Sequence, residues 1–213
     1  MTAPDHIVYV VDDDPRVREA VIDLLSSASV NAVAFGSVAE FLMQSRPALP
    51  GCLVLDVNMP DMNGLEFQKQ LAATDHIPIV FITGHGDIPM SVRAIKAGAL
   101  DFLTKPFSDE ALLQVVTAAI EQDSKALQER ADLAQLSAHY AALTPREREV
   151  LPLVVAGLLN KQAAAELGIS EITLQIHRSN VMRKMEAGSV AELVRLADRL
   201  KVPIPPREGR KAR

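Results

Sequence analysis

Five short apolar runs mark the first half of the chain: Ile7 to Val11, Val30 to Phe35, Cys52 to Leu55, Ile77 to Thr83 and Leu100 to Thr104. Each is short and rich in branched residues, as a buried strand is. Between them polar and apolar positions alternate with the period of a helix, as in Val17, Ala20, Val21, Leu24, Leu25 and again in Met90, Ala94, Ile95, Ala97. Alternating strand and helix patterns of this spacing predict a parallel sheet covered on both faces.

The pattern changes after Ser108. Ser108 is a good N-cap, followed by acidic Asp109 and Glu110. Leu112, Val115, Val116, Ala119 and Ile120 then form an apolar stripe, continued more weakly by Leu127, Ala131, Ala134 and Leu136. Gly and Pro are absent from 107 to 144. One long helix, or a helix plus a helical linker, is expected from 108 to about 138. Past residue 123 the stripe packs on a domain, forms a helix–helix seam, or is a solvated linker with incidental leucines.

The remainder reads as four short helices. Thr144 caps the first, with Pro145 at its first position and Glu147 completing a capping box; it ends near Gly157. Pro152 lies inside it and predicts a kink or a cost of roughly 3 kcal/mol. The second runs from Asn160 to Gly168, the third from the cap Ser170 to about Met185, and the fourth from Val190 to Leu200. The second and third, joined by a tight turn, fit a helix-turn-helix. In the third, Leu174, His177 or Arg178, Val181 and Met185 fall on one face, and Gln175, Ile176, Ser179 and Arg183 on the opposite one.

Chemistry enters at the strand ends. The first strand runs into Asp12-Asp13-Asp14, the third into Asp56, the fourth into Thr83-Gly84 and the fifth into Lys105-Pro106. Parallel strands bring these ends to one rim, where open α/β sheets bind ligands. A strand-end Asp by itself caps a turn as readily as it does chemistry. Three carboxylates converging there repel one another unless a cation joins them, and hard oxygen ligands favour Mg²⁺ or Ca²⁺. With a hydroxyl from Thr83 and an ammonium from Lys105, the set suits phosphoryl transfer, with Asp56 as a carboxylate nucleophile. No glycine-rich phosphate loop is present, which argues against ATP as the direct donor.

Charge separates the halves. Residues 1–123 carry 17 Asp/Glu against 7 Lys/Arg, and residues 124–213 carry 10 against 15. An acidic half suits a divalent cation and a basic half suits nucleic acid, although the basic tail supplies part of the excess. Cys52 is the single cysteine, so neither a disulfide within the chain nor a cysteine metal cage can form. No signal segment or membrane-length apolar run is apparent, and a reducing cytoplasm is the expected compartment.

The first half resembles the receiver domain of two-component response regulators from Ile7 to about Glu121. The matching residues are Asp12 and Asp13, Asp56, Thr83, and Lys105-Pro106. The stretch Thr83-Gly84-His85-Gly86-Asp87-Ile88-Pro89-Met90 is closely like the FixJ subgroup. The resemblance implies a flavodoxin-like sheet of order 2-1-3-4-5 and a phosphoacceptor at Asp56. It also implies Mg²⁺ held by Asp13, Asp56 and the carbonyl of Asn58, with Asp12 assisting through water. A sensor histidine kinase would be the phosphoryl donor and Thr83 the switch hydroxyl. Phe102 would be the aromatic switch, although as a sequence feature alone it reads as core. A cis peptide is implied before Pro106. His85 is either an aid to acyl phosphate hydrolysis or a solvent-facing loop residue.

The second half resembles the LuxR-type helix-turn-helix domain of the FixJ/NarL regulators over about 143 to 200. The residues that carry this are Leu143-Thr144-Pro145-Arg146-Glu147, Gly157, Asn160-Lys161, Ala164, Leu167, Ser170, Thr173, His177 and Lys184. Gln175 and Ala163 depart from the usual pattern, the first removing a cation and the second predicting looser packing. Duplex promoter DNA is the implied partner, with RNA polymerase beyond it and a homodimer on phosphorylation. On the third helix, Gln175 suits adenine and Ile176 a thymine methyl, with Thr173 and Ser179 beside them. Lys161, Arg178, Arg183 and Lys184 suit phosphates.

The architecture expected is a receiver domain over 1–122, a helical linker over 123–142, an all-α helix-turn-helix domain over 143–202 and a disordered tail over 203–213. Two rivals are an aspartyl-phosphate phosphatase and a regulator whose output binds protein or RNA. The first lacks a general acid two residues after Asp56, since Asn58 stands there.

Overall fold

The structure is a computed structural model that describes residues 5–60, 62–73, 76–84 and 88–204. The chain divides into two compact units, Met1–Gln128 and Glu129–Arg213. Among the described residues no helix is long and apolar enough to cross a membrane.

The first unit holds five parallel strands: β1 (Ile7–Val11), β2 (Ala32–Phe35), β3 (Gly51–Asp56), β4 (Ile79–Thr83) and β5 (Asp101–Thr104). Their order in the sheet is β2-β1-β3-β4-β5. Helices α1 (Pro15–Ser27), α2 (Val38–Met43), α3 (Gly64–Leu71), α4 (Ile88–Lys96) and the start of α5 (Asp109–Ala141) connect and follow them. Every residue of β3 and β4 is buried, as two-sided coverage requires.

The strand alternation splits the core into two layers. Tyr9, Val11, Leu53, Leu55 and Phe81 join Phe41 and Phe67 on one face. Val8, Val10, Cys52, Val54 and Ile82 join Leu25, Leu112 and Val116 on the other. Burial pushes the Cys52 thiol up to about 12, which makes it inert.

At the amino end of β3, Gly51 N–H donates to buried Asp123 Oδ2 at 3.0 Å. A side chain at Gly51 would meet the Ile7 carbonyl at 2.1 Å, which explains the glycine. Helix α5 runs unbroken past the expected boundary at residue 122. Its stripe beyond Asp123 is buried only at Leu136, which joins the core of the second unit; Ala131, Leu133 and Ala134 are exposed.

The second unit adds α6 (Pro145–Val155), α7 (Asn160–Leu167), α8 (Glu171–Lys184) and α9 (Val190–Arg199). Val150, Leu151, Leu174, Val181, Met185, Leu193 and Ala197 form its core. Gly168 stops α7 at φ 64, a left-handed position that favours glycine. Pro152 stays inside α6 without ending it. The N–H it lacks would have met the carbonyl of Arg148, an exposed residue. Ala163 is fully buried against its neighbours. Of the tail, residues 205–213 lie outside the described residues, as does His85.

Candidate functional site

The rim forms where β1, β3, β4 and β5 end. Fully buried Asp12 and nearly buried Asp56 face exposed Asp13, and carboxylate oxygens of the three lie within 4.8 Å of one another. Lys105 bridges two of them: its Nζ donates to Asp12 Oδ2 at 2.5 Å and to Asp56 Oδ2 at 3.3 Å. Burial raises the Asp12 carboxyl above its ordinary value, although the Lys105 ammonium and the Asp14 N–H pull the other way. The Lys105–Pro106 bond is cis.

Local hydrogen bonds set the positions. Asp12 Oδ1 accepts from Asp14 N–H at 2.9 Å. Asp14 caps α1 and accepts from Arg16 side-chain and backbone donors, which hold its carboxyl down at about 2. Arg18 reaches back from α1, and its Nη1 donates to the carbonyls of Asp12 at 2.6 Å and Asp13 at 3.0 Å. Asp56 Oδ1 accepts from Asn58 N–H at 3.2 Å. Asn58 Nδ2 donates to the fully buried Thr83 Oγ1 at 3.0 Å. Gly64 N–H donates to the Val57 carbonyl at 2.9 Å and closes the turn after β3. A Cβ at Gly64 would lie 2.7 Å from the Asp56 carbonyl. Half-buried Phe102 packs on Phe81, ring centroids 6.3 Å apart.

The site therefore brings together Asp12, Asp13, Asp56, Asn58, Thr83 and Lys105. Sequence reading overlooked Arg18 and the Asn58 amide. A cation one turn into the helix after an acidic run was the available signal for Arg18. Hard oxygen atoms at this spacing fit a divalent cation, and the charge of one would relieve the repulsion among the three carboxylates.

In the second unit α8 presents a solvent face. Gln175, Ser179 and Arg183 are exposed, as are Ile176 at 57 % and Ile172 at 74 %. Ile172 was not singled out from sequence. Lys161 on α7 is exposed too. Half-buried Thr173 shares a hydrogen bond with Ser170 Oγ, Oγ1 to Oγ 2.8 Å, at the start of α8.

Two cations assigned from sequence to phosphates have partners within the protein. Arg178 Nη1 donates to Asn160 Oδ1 at 2.7 Å. Lys184 Nζ donates to buried Glu147 Oε2 at 2.7 Å and to the Ala142 carbonyl at 3.1 Å. Both sit on the packed side of α8, where a side chain finds protein acceptors before solvent. Glu147 in turn accepts from Thr144 N–H at 2.8 Å, completing the capping box of α6. Burial would raise the Glu147 carboxyl, but the Lys184 and Thr144 donors outweigh it and hold it below its ordinary value.

Comparison with known proteins agrees with both units. The family model of the response regulator receiver domain matches residues 8–117. That of the bacterial regulatory proteins of the luxR family matches residues 141–197. Nodulation protein W of Bradyrhizobium diazoefficiens is 50% identical over 195 residues, 91% of this chain and 86% of its own. The transcriptional regulatory protein FixJ of the same organism is 44% identical over 201 residues, 93% of this chain and 97% of its own. The solved structure of the response regulator StyR is 48% identical and covers 92% of this chain and 99% of its own, with a TM-score of 0.84. The chain belongs to the response regulators that join a receiver domain to a LuxR-type DNA-binding domain. It is a regulator of transcription in a two-component system.

Proposed function

We propose that Asp56 is the phosphoacceptor and that its phosphorylation switches DNA binding by the second unit. A carboxylate oxygen of Asp56 attacks the phosphorus of a phosphohistidine on a sensor histidine kinase. The N–P bond breaks, the imidazole leaves, and an acyl phosphate remains on Asp56. Mg²⁺, when bound by Asp13, Asp56 and the Asn58 carbonyl with Asp12 assisting through water, supplies charge neutralisation. Lys105 moves from its present carboxylate partners to a phosphoryl oxygen, and Thr83 leaves the Asn58 amide to donate to another. Phe102 then repacks beside Phe81. The single observation that carries this reading is the convergence of three carboxylates with Lys105 and Thr83 around the end of β3.

The groove beside the site suits the donor's approach. It has a volume of about 510 Å³ and is lined by Val17, Ala20 and Leu24 of α1 together with Lys105, Pro106 and Phe107. An apolar wall next to an ammonium fits a helical kinase surface that carries its histidine to Asp56.

The response is dimerisation through α4, β5 and the start of α5. Exposed Ile88, Val92 and Ile95 recur at helical spacing on α4 and supply an apolar face for a second copy. Two copies would set their α8 helices in half-sites about one turn of duplex apart, with Gln175 and Ile176 at base edges and Thr173 and Ser179 beside them. Lys161 and Arg183 would hold phosphates, and RNA polymerase would be engaged at the promoter. We read 1–122 as receiver, 123–142 as linker, 143–202 as DNA-binding domain and 203–213 as tail, acting in the cytoplasm.

Incubation with acetyl phosphate and Mg²⁺, followed by intact-mass measurement, tests the chemistry. One added phosphoryl group, lost on Asp56→Asn or on chelation, is expected. Equal labelling of Asp56→Asn would refute the assignment.

A further inference from the structure

On α8, Arg178 lies between Leu174 and Val181, four positions from one and three from the other, and both are fully buried. It therefore starts from the packed side of the helix, and its side chain borders the hollow that Gln175, Ser179 and Arg183 also line. Arg178 is half-buried, and its Nη1 donates to the Asn160 amide oxygen at 2.7 Å.

Asn160 is the first residue of α7, one position past the N-cap Leu159, so its side chain is not the capping group. Here that duty falls elsewhere: Gln162 Oε1 accepts from the Leu159 N–H at 3.0 Å. The Asn160 amide oxygen is thereby left to Arg178. The two residues line both of the hollows that flank the α7–α8 contact, about 830 Å³ and about 540 Å³ in volume. Ala163 and Ala164 of α7 share the buried core with Leu174 and Val181 of α8, and the hydrogen bond adds a polar tie between the two helices beside it.

We propose that Arg178 and Asn160 are a positioning pair for sequence reading, and that Arg178 makes no phosphate contact. Holding α8 against α7 sets how far Gln175 and Ile176 project toward base edges. A phosphate-binding Arg would add affinity on every sequence and raise the salt dependence. A positioning Arg leaves both alone and alters discrimination between sequences.

The test uses the full-length protein. Binding to a fluorescent random-sequence duplex is measured across a salt series. Binding is also measured on an operator that the wild-type protein selects from a random duplex library. Arg183→Ala, which removes an exposed cation, should shallow the slope of log K against log salt by about 0.9. Arg178→Ala should leave the slope on random duplex unchanged. It should lower the ratio of operator to random-duplex affinity about tenfold, or roughly 1.4 kcal/mol. Asn160→Leu should lower that ratio equally, and the double substitution should add nothing further. Asn160→Asp, which keeps an acceptor for Arg178, should retain the ratio. A merely structural pair would lower both affinities together and leave the ratio alone. A slope shallower by about 0.9 in Arg178→Ala, or additive losses in the double variant, overturns the proposal. Wild-type protein with no affinity for any duplex would instead sink the DNA-binding reading itself.

Discussion

Glu147→Ala should be the most damaging single truncation of a charged residue in the second unit. The carboxylate is 3 % exposed and accepts from Lys184 Nζ at 2.7 Å and from Thr144 N–H at 2.8 Å. Breaking a buried ion pair from one side costs about 3–5 kcal/mol, because the remaining charge is left uncompensated. Lys184 keeps a quarter of its side chain in solvent and a second acceptor in the Ala142 carbonyl, which favours the lower end. Loss of the Glu147 half of the capping box, the bond from Thr144 N–H, adds about 1 kcal/mol. The expected total is about 4 kcal/mol. Glu147→Gln keeps an acceptor for both donors and should cost about 1–2 kcal/mol. For a domain of this size each kcal/mol lowers the melting temperature by about 4–8 °C.

The pH dependence follows from the direction of the shift. A carboxyl held below its ordinary 4.5 stabilises the fold above that pH, and the contribution disappears as pH falls through the lower folded value. Urea unfolding of wild type and Glu147→Gln at neutral pH and again in strong acid measures this. The gap between the two proteins should close in acid. A gap under about 0.5 kcal/mol at neutral pH, or one that widens in acid, would refute the buried-pair reasoning.

Other outcomes follow from the receiver unit. Asp12→Asn removes a charge that burial disfavours and leaves Lys105 paired with Asp56, so it should stabilise the metal-free protein by roughly 1 kcal/mol in thermal melts while weakening Mg²⁺ binding in calorimetric titration. Gly64→Ala must push the Asp56 carbonyl or the Phe81 ring aside, so acetyl phosphate labelling should slow and stability should drop by about 1–3 kcal/mol. Gln68 is buried with its Oε1 unpartnered and its Nε2 on the Ala94 carbonyl at 3.1 Å, a carbonyl that also accepts from Ala97 and Ala99. Gln68→Met should therefore change stability by less than about 1 kcal/mol, whereas Phe67→Ala should cost about 3–5 kcal/mol in the same melt.

The strands were legible because each is a short, mainly apolar run, and four of the five end at a polar residue. Val30 and Ile77 pack against the cores as expected but precede the ladder, so β2 and β4 begin two residues later than the runs do. Helix α2 escaped notice because only Val38 and Phe41 are buried in its six residues, too few to show a period. The turn formers before α3 hid its cap, since Asn63 accepts from Leu65 N–H to start the helix. At the rim, the residue types alone indicated Asp12, Asp56, Thr83 and Lys105. In α8 the sequence displayed basic residues without their partners. Glu147 lies 37 positions from Lys184, and Asn160 lies 18 from Arg178, so only the fold reveals that these cations are engaged.

Sedimentation velocity in Mg²⁺, with and without beryllofluoride as a phosphoryl mimic, tests the central claim most directly. The wild-type protein should pass from monomer to dimer when the mimic is added, and Asp56→Asn should remain a monomer throughout. A dimer that forms equally in Asp56→Asn, or wild-type protein that never changes its sedimentation, would contradict the proposed switch.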